Sequence, residues 1–184
     1  VALANSYGIN ALEVEHPSEF QEALDYFISY SGPILLDAVK LLNENNKDIT
    51  YVFHSTKEYS KSIQSYISKS ELTNCEVISD DKIKSHILRK SIFAIAKSGT
   101  VSLEICNLKI PSVILYKMNF INFLIIKILV KTKFANIINI AAKKEIIPEL
   151  LQGECNPKNI SSKTIDFLDN PEKMNEQIKE TQLI

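Results

Sequence analysis

Between Gly32 and Gly153 the chain contains one glycine, Gly99. It follows an apolar run at 92–96 and lies within Lys97-Ser98-Gly99-Thr100-Val101-Ser102-Leu103-Glu104, which turns helical in character after the glycine. A buried strand that breaks at small residues and enters a helix leaves the helix's first N–H groups without acceptors. They stand at the positive end of the helix dipole, so the turn is an anion site. Ser98 and Thr100 add hydroxyls, Gly99 lets a phosphate approach the backbone, and Glu104, one turn in, is placed to accept from ribose hydroxyls. This is the shape of a nucleotide-diphosphate site. A plain N-capped helix after a strand uses the same residue types, and the motif alone leaves both readings open.

Periodicity on either side of the turn predicts strands at 49–54, 75–79, 92–96 and 112–116. Helices are expected at 57–69, 82–90 and from Thr100 to Asn107, then at 145–152, 157–168 and 171–179. Repeated strand–helix units imply an α/β fold, a Rossmann-like parallel sheet with helices on both faces and a helical C-terminal tail. The Ser98-Gly99-Thr100 turn is expected at the C-terminal end of a central strand, where such sheets bind ligands.

Composition narrows the function classes. The 184 residues (20.8 kDa) are 45% hydrophobic and 23% charged, as in a soluble globular protein with one good core or two small ones. A net charge of -1 argues against wholesale nucleic-acid binding. Cys75, Cys106 and Cys155 are odd in number and widely spaced, which fits reduced cytosolic thiols and neither a disulfide frame nor a zinc site. Cys106 and the tyrosines Tyr51, Tyr59 and Tyr66 read as packing residues. His16, His54 and His86 lack metal-ligand spacing, and none has an orienting carboxylate at a recognisable distance in sequence. Asp80-Asp81 reads as a helix cap pair, and no Asp-X-Asp motif is present, so neither a metal nor another cofactor is implied. No signal peptide is visible, and a first residue of Val1 predicts a fragment of something longer.

Charge divides the chain. Residues 1–38 hold six acidic residues and no lysine or arginine, whereas lysine is abundant from Lys40 onward. The first segment reads as a short helix ended by Gly8, a strand at 11–15, and a helix opened by Pro17 with Phe20, Ala23, Leu24 and Phe27 as its stripe. Gly32-Pro33 then turns into a buried strand at 34–37. Val1-Ala2-Leu3-Ala4-Asn5-Ser6-Tyr7-Gly8, Pro17-Ser18-Glu19-Phe20-Gln21-Glu22-Ala23-Leu24 and Gly32-Pro33-Ile34-Leu35-Leu36-Asp37 together resemble the C-terminal end of acetolactate-synthase-like thiamine-diphosphate enzymes. That family's cofactor motif lies upstream, so residues 1–38 are expected to be a β-α-β remnant that binds no thiamine diphosphate.

Residues 39–184 carry a second resemblance. Ser98-Gly99-Thr100-Val101-Ser102-Leu103-Glu104 is followed by Lys109-Ile110-Pro111-Ser112-Val113-Ile114-Leu115-Tyr116-Lys117-Met118, then Val130-Lys131-Thr132, Asn139 and Ile147-Pro148-Glu149-Leu150-Leu151-Gln152. In this order and spacing they resemble the C-terminal half of the lipid-A-disaccharide synthases, glycosyltransferases of the GT-B fold. The resemblance implies a UDP-sugar half-site, with Ser98, Gly99 and Thr100 on the diphosphate, Glu104 on the ribose, and Asn139 and Glu145 nearby. It implies transfer of diacylglucosamine from UDP-diacylglucosamine to an acylated glucosamine phosphate, in the bacterial cytoplasm or peripherally on the inner membrane. The acceptor half and the family's Gly-Ser-Arg phosphate loop are missing, so the chain is expected to be a composite of two incomplete units without transferase activity. The other readings are a thiamine-enzyme fragment or an inert composite.

Residues 105–144 contain seven lysines and no acid. Within them, 118–130 forms an apolar helix too short for a bilayer, which needs roughly 20 apolar residues. It reads either as a core helix beside a UDP site or as a helix lying on an anionic membrane with Lys127, Lys131 and Lys133 reaching the headgroups.

Overall fold

Among the described residues all strand pairing is parallel, and it falls into two sheets. The computed structural model describes residues 32–45, 48–117 and 133–184. In chain order the elements are α1 (Gly32–Asn45), β1 (Tyr51–His54), α2 (Lys57–Lys69), β2 (Cys75–Ile78), α3 (Asp81–Leu88), β3 (Ala94–Lys97) and α4 (Thr100–Asn107). Then follow β4 (Ser112–Tyr116), α5 (Ile137–Ala142), β5 (Glu149–Leu151), a 3-10 turn (Gln152–Glu154), α6 (Pro157–Leu168) and α7 (Pro171–Thr181). One sheet is β1-β2, in register from Tyr51↔Cys75 to His54↔Ile78. The other is β3-β4-β5, with Lys97 opposite Leu115 and Tyr116 opposite Leu151. Its middle strand, Ser112-Val113-Ile114-Leu115-Tyr116, is buried over its first three residues. A strand covered on both faces reads as a continuous apolar run and not as an alternation.

Helix α1 joins the two sheets. Leu36 and Val39 pack with Ile67 and Leu72 of the α2 region and with Tyr51, Phe53 and Val77 of the first sheet. Ala38 packs with Val113, Leu150, Cys155 and Ile160, and Ile34 and Leu35 lie against that second cluster. A third cluster, Ile114, Ile138, Ile146 and Ile147, sits under α5. The C-terminal helix is latched by Gln177. Its side-chain amide accepts from Ser112 N–H at 2.6 Å and donates to Ser112 C=O at 3.0 Å, imitating a strand neighbour at the start of β4.

Most element expectations match within a few residues, and 57–69, 112–116 and 157–168 match end to end. Three do not. The strand expected at 34–37 is the first part of α1, which runs unbroken through Ala38 and Val39. A short apolar run does not by itself distinguish strand from helix; here Ile34, Leu35, Ala38 on one side and Leu36, Val39 on the other serve both clusters at helical spacing, with Pro33 in the first turn. The helix expected at 145–152 is instead a turn, β5 and the 3-10 turn. Pro148 withholds an N–H, its C=O accepts from Ile114, and the N–H groups of Ile146 and Ile147 go to Asn139. β4, not β3, is central, so Gly99 follows an edge strand of its sheet. The expectations at 1–31 and 118–130 lie outside the described residues.

If α1 is the shared element, Leu36→Ala should lower the unfolding free energy by about 2–5 kcal/mol. Lys40→Ala, exposed on the same helix, should change it by less than about 0.5 kcal/mol. Urea denaturation of the 184-residue chain measures both; equal, small effects would refute the bridging role.

Candidate functional site

The Ser98-Gly99-Thr100 turn lies at the C-terminal end of β3 and opens α4, as expected. Gly99 is the N-cap residue, with φ 148° and ψ −162°. That positive φ is open to glycine and strained for other residues. A Cβ built on Gly99 would meet no atom within 4 Å, so the space over the turn is open. α3, α5 and α6 each have a side chain accepting from their first N–H groups, from Asp80, Asn136 and Asn156 respectively. α4 has none, and neither do α2 and α7. In α4 the Ser102 N–H goes to Gly99 C=O at 3.1 Å, and no side-chain cap takes the N–H groups before it among the described residues.

Ser98 has a different place from the one its motif predicts. Its Oγ donates to Ala135 C=O at 2.8 Å, and its N–H goes to Leu115 C=O at 3.1 Å. It fastens the turn to β4 and to the segment before α5. Thr100 is exposed. Ser102, buried on the next turn, donates from Oγ to Gly99 C=O at 2.6 Å and holds the glycine from behind. Glu104 is half-buried, and its Oε2 accepts from Lys84 Nζ of α3 at 2.9 Å.

Asn139 and Glu145 do not join this cluster as ligand groups. Asn139 is 0% exposed, and all its polar capacity is used. Nδ2 donates to Ile147 C=O and to Glu149 Oε1, both at 2.7 Å, while Oδ1 accepts from Ile146 and Ile147 N–H at 2.8 and 2.9 Å. Glu145 is exposed, accepts from Glu149 N–H at 3.3 Å, and lines a cleft of about 350 Å³ between β5 and α6 with Glu154, Asn159 and Lys163.

The residue that organises this side is Glu149, which sequence reasoning did not single out. Buried at the start of β5, it accepts from Ala135 N–H at 2.6 Å, Asn136 N–H at 3.0 Å and Asn139 Nδ2. Its negative charge lies at the N-terminus of α5, where the dipole favours it. Bonds therefore run from Ser98 through Ala135 and Glu149 to Asn139. The available signal was an acid inside the apolar stretch Ile146-Ile147-Pro148-Glu149-Leu150-Leu151; a charge there is buried only with partners. The three thiols lie apart from this chemistry, and burial pushes Cys75, Cys106 and Cys155 up, away from the reactive thiolate.

Asn139→Ala would orphan two N–H groups and remove a donor from a buried carboxylate. The cost per unsatisfied group is about 1–3 kcal/mol, so the chain should lose at least about 2 kcal/mol of stability in urea denaturation. Unchanged stability would return Asn139 to the list of ligand candidates.

The family model described as lipid-A-disaccharide synthetase matches residues 27–184, beginning inside the segment that reads as thiamine-enzyme-like. The lipid-A-disaccharide synthase of Rickettsia prowazekii is 34% identical over 153 residues, 83% of this chain and 40% of its own length. That of Rickettsia conorii is 47% identical over 91 residues, half of this chain and 20% of its own length. The chain thus spans 40% of the length of the first of these relatives and 20% of the second. Among solved structures, a Listeria monocytogenes protein described as a UDP-N-acetylglucosamine 2-epimerase superposes with a TM-score of 0.58 at 15% identity, over 80% of this chain and 35% of that one. The fold is GT-B-like, and the chain belongs to the lipid-A-disaccharide synthetase family.

Proposed function

We propose that the chain is the UDP-sugar-binding part of a lipid-A-disaccharide synthase, with the nucleotide at the β3–α4 turn. The observation that carries this is the uncapped start of α4, with Gly99 at a glycine-only φ and open space above it. The backbone N–H groups at the head of α4 take the diphosphate, and the exposed Thr100 hydroxyl adds a donor. Ser98 spends its proton on Ala135 and so holds the turn in place, without serving as the main phosphate donor. Glu104, one turn further, takes the ribose hydroxyls.

In the reaction, a glycosidic bond forms from the sugar's anomeric carbon to the acceptor oxygen, and the bond to the diphosphate breaks. Negative charge grows on the departing UDP. Donors fixed before the reaction lower the barrier because they need not reorganise as that charge develops. The sugar transferred is diacylglucosamine, and the acceptor is diacylglucosamine 1-phosphate. Among the described residues no helix is long and apolar enough to cross a membrane. The lysine-only charge of residues 105–144 supports contact of the acyl-carrying substrates' side with anionic lipid.

Calorimetry with UDP tests the site. Glu104→Ala should weaken UDP by roughly ten- to a hundredfold, as expected for hydrogen bonds to a charged group of about 1.5–3 kcal/mol. Gly99→Val should be worse, because it strains the turn and fills the phosphate's approach. Equal binding by wild type and both variants would place UDP elsewhere.

A further inference from the structure

We propose that Lys84 is a positioning residue for Glu104, a role that rests on the reading of Glu104 as the ribose acceptor. Lysines seldom lie largely covered unless paired. Lys84 keeps 20% of its side chain exposed and Glu104 34%, and their 2.9 Å bond links α3 to α4. Lys84 engages one carboxylate oxygen, Oε2. No other hydrogen bond or ion pair to the Glu104 carboxylate is made among the described residues. Among the described residues Oε1 thus has no donor, and the bond to Oε2 restrains the carboxylate's rotation.

A ribose offers two adjacent hydroxyls, and a carboxylate held in one orientation meets them without first losing rotamer freedom. Preorganisation of this kind raises affinity by lowering the cost of ordering. The pairing also keeps the carboxylate charge compensated beside the anion-binding turn, where an unpaired Glu104 would repel a diphosphate. Lys84 thereby favours nucleotides with both hydroxyls and touches none of them itself.

The test uses the full chain and two probes, UDP and 2′,3′-dideoxyuridine diphosphate, in calorimetry. Wild type should prefer UDP. Lys84→Met should weaken UDP by about five- to tenfold, the size expected when a charge-assisted contact loses its orientation. It should leave the dideoxy probe unchanged within about twofold. Lys84→Arg should restore the preference for UDP. The melting temperature of Lys84→Met should move little, because partly exposed ion pairs contribute little to stability. Equal weakening of both probes, or an unchanged preference in Lys84→Met, would overturn the positioning role while leaving the site intact. Absence of any UDP preference in the wild type would overturn the ribose reading and this role with it.

Discussion

Apolar contact along two faces of one helix holds the two sheets of this protein together. α1 carries Leu36 and Val39 toward β1-β2 and Ile34, Leu35 and Ala38 toward β3-β4-β5. Among the described residues no strand pairing links the sheets, since the order is β1-β2 and, separately, β3-β4-β5. The parallel strands fix directions within each sheet, but α1 fixes the sheets to each other. Ala38, fully buried, is small enough for the helix to approach Val113 and Ile160 closely. The Ser98-Gly99-Thr100 turn inherits its position from that packing, because β3 carries Gly99 on its end and Ile95 of the same strand lies against the Ala38 cluster.

The sequence was most legible where one local rule dominated. Pro157 stands in the first turn of α6, whose expected bounds 157–168 match the structure. The strand at 112–116 was equally plain, being apolar and bracketed by Pro111. Failures came where tertiary partners decided. Ile34-Leu35-Leu36 is apolar enough for a buried strand, and only two-sided packing makes it a helix. Glu145 to Gln152 has helical composition, yet Asn139 takes the N–H groups of Ile146 and Ile147, which diverts the backbone into β5. For the site, the turn and Glu104 were visible because they are contiguous in sequence. Lys84 and Glu149 were not, because each meets its partner across a long loop or a separate element.

The site divides its polar groups between holding and offering. Ser98, Ser102, Asn139 and Glu149 have bonds within the protein and set the shape. Among the described residues, Gly99 has open space above it, Thr100 is exposed and one oxygen of Glu104 has no donor. A glycine at the N-cap forgoes only about a few tenths of a kcal/mol against a capping side chain. In the proposed reading that small cost is the counterpart of donors kept for the diphosphate. Of the buried polar residues near the turn, Ser102, Asn139 and Glu149 serve the frame.

The bonds from Ser98 through Ala135 and Glu149 to Asn139 also bear on how this chain can drift in sequence. Four segments, the β3–α4 turn, the entry to α5, α5 itself and β5, share one carboxylate and one side-chain amide. A shorter acid at 149 would lose the entry to α5 and slacken the link to the turn at the same time. A larger residue at 139 would displace β5. Positions 98, 139 and 149 are therefore not independent variables: a change tolerated at one is a change already accommodated at the others, and divergence here proceeds by matched sets of substitutions and not one residue at a time.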